Sequence, residues 1–514
     1  MKFSYRFSNL CGTVYKCGNV CFSADGNTLY SPVGSRISVF DLVNHTSYTL
    51  PFETRKNISR LCVSNNGRYM VAVDVDGKAM FINLKRRIVL YRFSFEGAIQ
   101  DICFSPDDTM IAVAIERKFQ LWYTPTEERH FAPMERYMEI GHHFDKITSI
   151  RWSLDGKYLV TGCEDMNVRI FSVQVYDDFI PITLSGHRSS VVGAYFAADG
   201  KHIYSVCNGG GVLEWEWSEV DDETWERMQR FIDRKKNKED GNGESGATRD
   251  EKSDEGDVKE ESDVNEGDTS EEGDMKEDSE EENTSENDST SASENEKSST
   301  IQNDTNPMSG DLIDKNVYAH GKWSIHSKFA IDESSQVSCC DFNPYSNLLI
   351  LGLANGVFAL HEMPEFTRIH SLSISRNDVS SCAINRSGDW LAFGCASLGQ
   401  LLVWEWQSET YVLKQQGHYY NINTLEFSPD GSVVATGGDD GKVKLWSIQS
   451  GFCFVTFADH TAAVTDLCYV RGGHALLSAS SDGTIRAYDL IRYRNFRTLT
   501  TPTPVQFTCV TCDM

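Results

Sequence analysis

Residues 417–446 read GHYYNINTLEFSPDGSVVATGGDDGKVKLW. After Gly417-His418, the apolar alternation of Leu425 and Phe427 marks a strand, and Asp430-Gly431 marks a tight turn. A small-residue strand follows from Val433 to Gly437. A second turn at Asp440-Gly441 leads into a third strand ending at Trp446. Such a sheet carries apolar side chains on both faces, so a single copy cannot bury itself and must stack on others.

The turn after the first strand recurs. It reads FSADG at Phe22–Gly26, VSNNG at Val63–Gly67, FSPDD at Phe104–Asp108, WSLDG at Trp152–Gly156 and FAADG at Phe196–Gly200. It continues as FNPYS at Phe342–Ser346, INRSG at Ile384–Gly388, FSPDG at Phe427–Gly431 and YVRGG at Tyr469–Gly473. The last positions are 41, 41, 48, 44, 146, 42, 43 and 42 residues apart. Apart from one long interval, this is the spacing of propeller blades, about 40–45 residues. The unit resembles a WD40 repeat. The resemblance implies a hydrogen-bonded chain of His, Ser/Thr, Asp and Trp within each blade. Those roles fall to His418, Thr436, Asp440 and Trp446 in the eighth copy, and to His460, Ser478, Asp482 and Tyr488 in the ninth. The fourth copy offers His142, Thr161, Asp165 and Phe171. The fifth has His187 and Trp215, with Gly209 in place of the acid, and the seventh has Leu398 there, before Trp404.

The fold class is therefore all-β, with tandem WD40 propellers. Nine blades exceed one ordinary ring of 4–8, so residues 1–407 are expected to form a seven-bladed first propeller and 408–514 the start of a second, truncated after about two blades. The segment Phe507–Cys512 resembles the first strand of a tenth copy whose turn is due near residue 516, beyond Met514.

The long interval holds a biased segment. Glu239–Thr300 contains 25 acidic and 5 basic residues, a net of −20, which leaves only −7 of the chain's −27 for everything else. It is too polar to offset its ordering entropy, so residues 238–315 are expected to be a disordered acidic insert. A short helix around Trp225, Met228 and Phe231 is expected ahead of it, and a resuming strand at GKWSIHSKFAI after it. Thr269 and Ser279, each just before acidic residues, are candidate phosphorylation sites. The insert reads first as a solvated spacer, with capture of basic partners as the sharper alternative.

Few motifs point to chemistry. Gly241–Gly246 matches G-x-G-x-x-G but lacks the strand and helix that a dinucleotide site requires. Cys509-Val-Thr-Cys512 is a lone pair where zinc needs about four ligands. The fifteen cysteines lack a disulfide framework and read as reduced thiols. No nucleophile–base set stands out, so no cofactor, metal or small-molecule substrate is expected and the protein is read as not an enzyme. There is no apolar leader and no apolar run of about 20 residues, so no membrane association is expected. Arg234–Lys238 is a weak import signal, and Arg492, Arg494 and Arg497 interleave with aromatics in a way that suits RNA or partner contact.

A sharper resemblance rests on several stretches: MKFSYRFSNLCGTVYKCGNV at the start, HEMPEFTRIHSLSIS at His361–Ser375, Ser387–Gly417, SGFCFVTF at Ser450–Phe457 and DGTIRAYDLIRYRNFRTLT at Asp482–Thr500. Together they resemble the periodic tryptophan protein 2 family, WD-repeat components of the small-subunit processome. The resemblance implies a nuclear, nucleolar scaffold of the UTP-B subcomplex. Its partners would be other WD-repeat processome subunits and, directly or indirectly, the U3 snoRNP and pre-rRNA. It would act in U3-dependent pre-rRNA processing, 18S maturation and early 40S assembly. The alternative is a generic WD40 adaptor, such as a ubiquitin-ligase substrate receptor or a transport coat subunit.

Overall fold

The computed structural model describes residues 7, 9–125, 133–174, 180–220, 318, 321–331, 335–470, 472–503 and 505–512. The acidic insert 238–315, the helix expected before it, Arg234–Lys238, Gly241–Gly246, Thr269 and Ser279 all lie outside these residues. The described residues belong to one compact unit. Among them, no helix is long and apolar enough to cross a membrane.

Nine four-stranded antiparallel sheets follow one another, each built from four consecutive strands. Local chemistry makes the first turn of each. In the eighth sheet Ser428 donates to Asp430 Oδ1 at 2.6 Å and accepts the amide of Val433 at 2.9 Å, while Gly431 takes φ +70°. Glycine adopts that left-handed conformation without steric cost. In the third sheet Asp108 stands there with φ 60°, and its carboxylate accepts the amides of Asn65 and Asn66 from the second sheet at 2.7 and 2.8 Å. A hydrogen-bonded contact between blades thus takes the place of the glycine.

The first seven sheets close into a ring. Sheet one is β1–β4 (Cys21–Phe22, Thr28–Val33, Arg36–Asp41, Thr46–Thr49), and sheet seven is β25–β28 (Ser381–Ile384, Trp390–Cys395, Gln400–Glu405, Thr410–Gln416). Each apolar core lies between two neighbouring sheets. One joins the first and second through Ile37, Val39, Leu61 and Met70, another the second and third through Phe81, Ile102 and Ile111. The last joins the seventh back to the first, with Ala392, Leu401 and Val403 against Val20, Leu29 and Phe40. The amide of Val20 donates to Ser381 Oγ across this seam at 3.1 Å. The seventh sheet includes Thr410–Gln416, so its last strand runs beyond residue 407, where the sequence placed the domain boundary.

Polar latches tie adjacent inner strands together. Asn19 Oδ1 accepts the amide of Leu61 at 2.7 Å, Asp101 Oδ2 that of Ile150 at 3.0 Å, and Asp341 Oδ2 that of Ile384 at 2.9 Å. The ninth sheet extends the pattern. Asp466 Oδ2 accepts the amide of Val510 at 2.9 Å, and Thr465 Oγ1 donates to the carbonyl of Phe507 at 2.8 Å. Phe507–Cys512 is thus held where a tenth inner strand would lie, although it forms no strand of its own.

The eighth sheet, β29–β32 (Ile422–Phe427, Val433–Gly438, Val443–Ser447, Cys453–Phe457), uses its two faces differently. Ala435, Val443 and Leu445 pack on the ninth sheet. On the other face Val434 and Trp446 join the core that closes the ring. The joint is stitched by Ser47 N to Ser450 O at 2.7 Å and Cys453 N to Gln415 Oε1 at 2.9 Å, with Phe40 stacked on Phe452 at 6.1 Å. Leu425 and Phe427, whose alternation marks the strand in the sequence, are each 58% exposed. They share the face of Thr436 and Val434, and only the outer part of that face meets the ring.

Candidate functional site: polar chains, a charged channel and an arginine strand

In the eighth sheet His418 Nδ1 lies 2.9 Å from Asp440 Oδ1, His418 Nε2 lies 2.8 Å from Thr436 Oγ1, and Trp446 Nε1 lies 2.9 Å from the same hydroxyl. With a neutral imidazole the directions are unique. The indole donates to Thr436, Thr436 donates to Nε2, and Nδ1–H donates to the carboxylate. His418 holds Asp440 below the usual carboxylate range despite burial. In the ninth sheet His460 reaches Asp482 at 2.9 Å and Ser478 at 2.6 Å, while the fully buried Tyr488 stacks on Phe457 at 4.1 Å.

The fourth sheet corrects the sequence assignment. His143, not His142, bonds Thr161, at 2.8 Å. His418–Thr436, His460–Ser478 and His187–Ser205 are each separated by 18 residues. That spacing selects His143 and was readable in the sequence. Asp165 turns instead to the buried Arg169 at 2.7 Å. Burial, and then Arg169, push His143 down to about 4. In the fifth sheet His187 and Trp215 both bond Ser205, at 2.7 and 2.8 Å, and burial pushes His187 down to about 4 as well.

Gly209 lies 22 residues after His187, the same separation as His418 and Asp440. Its φ is ordinary, and a Cβ there meets only the Ser189 side chain, its hydroxyl at 3.0 Å and its Cβ at 3.7 Å. Gly209→Asp should therefore complete the chain and raise stability by about 1 kcal/mol, read as a higher urea midpoint. The pH response should have two windows. His143 and His187 have depressed folded values, so the unfolded chain takes up protons first as pH falls. Stability is full above about 6.5 and falls between 6.5 and 4, by roughly 3 kcal/mol per histidine. Asp440 and Asp482 are depressed carboxylates, whose contribution is lost only below about 4. Melting curves across pH 7.5–3 test both. A flat response from 6.5 to 4 would contradict the neutral-histidine assignment.

A channel of about 630 Å³ runs among the inner strands of all seven ring sheets. Its charged residues are Arg60, Asp101, Arg151, Glu164, Asp341 and Arg386. Arg151 pairs closely with Asp101 and lies 5.6 Å over the Tyr195 ring. Burial pushes Asp341 up, opposed by Arg151. The channel thiols of Cys62 and Cys340 are pushed up to about 12 by burial, which makes them poor nucleophiles at neutral pH. All fifteen cysteines are free, and Cys509 is exposed. Among the described residues no three His, Cys, Asp or Glu side chains are grouped to hold a metal.

Arg492, Arg494 and Arg497 lie exposed on and beside the outermost strand of the ninth sheet, β36 (Arg494–Thr500). Asp489 sits at its root, accepting the amides of Ile491 and Arg492, and is held low by those bonds and by the charges of Arg492 and Arg494. These arginines share no surface with the polar chains described above, which are buried.

The comparisons with known proteins agree with this geometry. The family model for the WD40 repeat (WD domain, G-beta repeat) matches residues 135–172, 409–447 and 451–489. The chain is 39% identical to periodic tryptophan protein 2 of Arabidopsis thaliana over 519 residues, covering 99% of this chain and 53% of the relative. The chain is a homologue of periodic tryptophan protein 2. Its mouse counterpart is 39% identical over all of this chain and 51% of its own length, and that of Saccharomyces cerevisiae is 38% identical over all of this chain and 48% of its own. The chain thus spans about half the length of the curated relatives it matches. A shorter match, 33% over 138 residues and 24% of this chain, is to "Pre-rRNA-processing protein IPI3" of Meyerozyma guilliermondii, of which it covers 30%. The periodic tryptophan protein 2 matches also run through the first, second, fifth and sixth sheets, which the family-model matches do not reach.

Proposed function

We propose that this chain is a non-enzymatic scaffold of the small-subunit processome, acting in the nucleolus in U3-dependent pre-rRNA processing and early 40S assembly. The observation that carries the reading is the similarity to periodic tryptophan protein 2 along the whole chain rather than in its repeats alone. The partial match to a protein named for pre-rRNA processing points the same way. The mechanism is geometric. A closed ring, joined through a shared core to a further sheet, fixes several surfaces relative to one another. Partners held on it meet at raised effective concentration. The partners are other WD-repeat subunits of UTP-B, together with the U3 snoRNP and pre-rRNA.

Depleting the protein and following ribosomal RNA precursors tests this reading. Uncleaved 18S precursors should accumulate while the large-subunit RNA matures normally. Unaltered 18S production would instead favour a general WD40 adaptor, of the ubiquitin-ligase or coat type.

A further inference from the structure

The second sheet carries a charge opposite to that of the chain. Between Pro51 and Ser94 there are nine Lys/Arg and three Asp/Glu, a net of +6, within a protein of net −27. Eight of the nine cations are exposed: Arg55, Lys56, Arg68, Lys78, Lys85, Arg86, Arg87 and Arg92. The ninth, Arg60, faces the channel and donates to the carbonyl of Gln100. Lys56 is paired with Asp76 at 2.9 Å, and among the described residues Arg92 donates only to the backbone carbonyl of Glu53. No ion pair holds Arg55, Arg68, Lys78, Lys85, Arg86 or Arg87 among the described residues. This many free like charges on one blade disfavour the isolated chain and favour an anionic partner.

The cations form two groups at the two ends of one hairpin, made by β7 (Lys78–Asn83) and β8 (Ile88–Ser94). At one end Arg55, Lys78 and Arg92 surround a depression of about 310 Å³, with Thr54 and Ser94. At the other, Lys85, Arg86 and Arg87 form the turn. Arg68 adjoins them through the Leu84 amide bond to its carbonyl, and Arg87 lies 4.1 Å over the Tyr48 ring. A strand of this length separates the groups by roughly 20 Å. A compact anion cannot touch both, but an extended polyanion can. The acids nearby are Asp74, Asp76 and Glu53. Asp76 is engaged with Lys56, and Glu53 with Arg36 at 2.7 Å. Asp74 is fully buried. Its Oδ1 accepts the amides of Asp76 and Lys78, and its Oδ2 has no hydrogen-bond partner among the described residues although Asp74 lines the depression. A ligand bringing both anions and hydroxyl donors suits the three cations and that oxygen together. Each ribonucleotide carries a phosphate and a 2′-hydroxyl donor side by side, whereas the side chains of an acidic peptide of Asp and Glu only accept, and its donors are confined to the main-chain amides.

We propose that the outer edge of the second sheet binds the phosphodiester backbone of RNA, with phosphates at the Arg55–Lys78–Arg92 depression and at the Lys85–Arg87 turn. This deepens the pre-rRNA reading and rests on it for the source of the RNA. The Arg492–Arg497 strand is the weaker anion surface, because Asp489 offsets part of its charge.

The test uses the full 514-residue chain and a fluorescent 20-nucleotide oligouridine, titrated at several salt concentrations. Charge reversal of one group (K85E/R86E/R87E) and of the other (R55E/K78E/R92E) should each weaken binding about 10- to 100-fold and flatten the slope of log K against log salt by about 2. Melting temperatures should stay put, since these side chains are exposed. Polyglutamate of equal charge should fail to displace the oligouridine. The proposal is overturned by unchanged affinity in both variants, by a larger loss from R492E/R494E/R497E, or by equal displacement by polyglutamate, which would make the partner an acidic protein. U3 recovered from nuclear extract by the wild-type chain separates the two readings. Its absence alongside charge-dependent oligouridine binding would sink the processome assignment and leave the surface standing.

Discussion

Asp101→Ala is expected to destabilise the ring by about 2–3 kcal/mol. Asp101 accepts the amide of Ile150 from the next sheet at 3.0 Å and pairs closely with Arg151. Removing it leaves the Ile150 amide without its acceptor and the Arg151 guanidinium without its counter-charge, held only by the carbonyl of Ile150 at 2.7 Å. A charge stripped of its partner in a buried setting costs about 3–5 kcal/mol. The Arg151 side chain is one-third exposed to the channel, which lowers the figure. Asp101→Asn keeps an acceptor for Ile150 but loses the charge and the Oδ1 that accepts the Ile102 amide at 3.0 Å, so it should cost about 1–2 kcal/mol. Urea unfolding of both variants measures the difference. Equal midpoints for wild type and alanine variant would mean that the latch contributes nothing and that apolar packing alone closes the ring.

Trp446→Ala is expected to cost more, about 4 kcal/mol, within the range for emptying a buried aromatic site. The indole is 2% exposed, donates to Thr436, and sits in the core that the eighth sheet shares with Val14, Tyr15, Leu42 and Leu413. Its loss therefore loosens the joint as well as the sheet. Hydrogen exchange should rise in residues 422–500 and stay protected in the second to fifth sheets. Trp446→Phe retains most of the volume and loses the N–H, so about 1–2 kcal/mol is expected. A uniform rise in exchange across the chain would show that the ring and the eighth sheet unfold as one.

What could be read from the sequence was local. The turn in FSPDG lies within a few residues, and its Ser–Asp–Gly chemistry is complete there, so the blade count and spacing follow from it. The His143 partner of Thr161 was also legible, but only through the 18-residue separation shared with other copies. The nearer match of His142 to the expected opening was misleading. The latches were not legible. Asp101 and Ile150 are 49 residues apart, and an acid on an inner strand looks the same whether it faces solvent or a neighbouring amide. The joint between Phe40 and Phe452 spans more than four hundred residues of chain and leaves no periodic trace. Leu425 and Phe427 show the converse. Alternation reports which side chains share a face, but whether that face is covered depends on a neighbouring sheet. The basic blade was visible as a composition, yet its two-ended arrangement required the register that pairs Lys78 with Ser94 and Asn83 with Ile88.

The most direct measurement is affinity purification of the protein from nuclear extract, probed for U3 RNA and 5′ pre-rRNA and analysed for co-purifying proteins. The scaffold account predicts U3 and pre-rRNA together with other WD-repeat processome subunits, retained at moderate salt. Recovery of the intact protein with neither RNA, and with ubiquitin-ligase or coat subunits in their place, would contradict it.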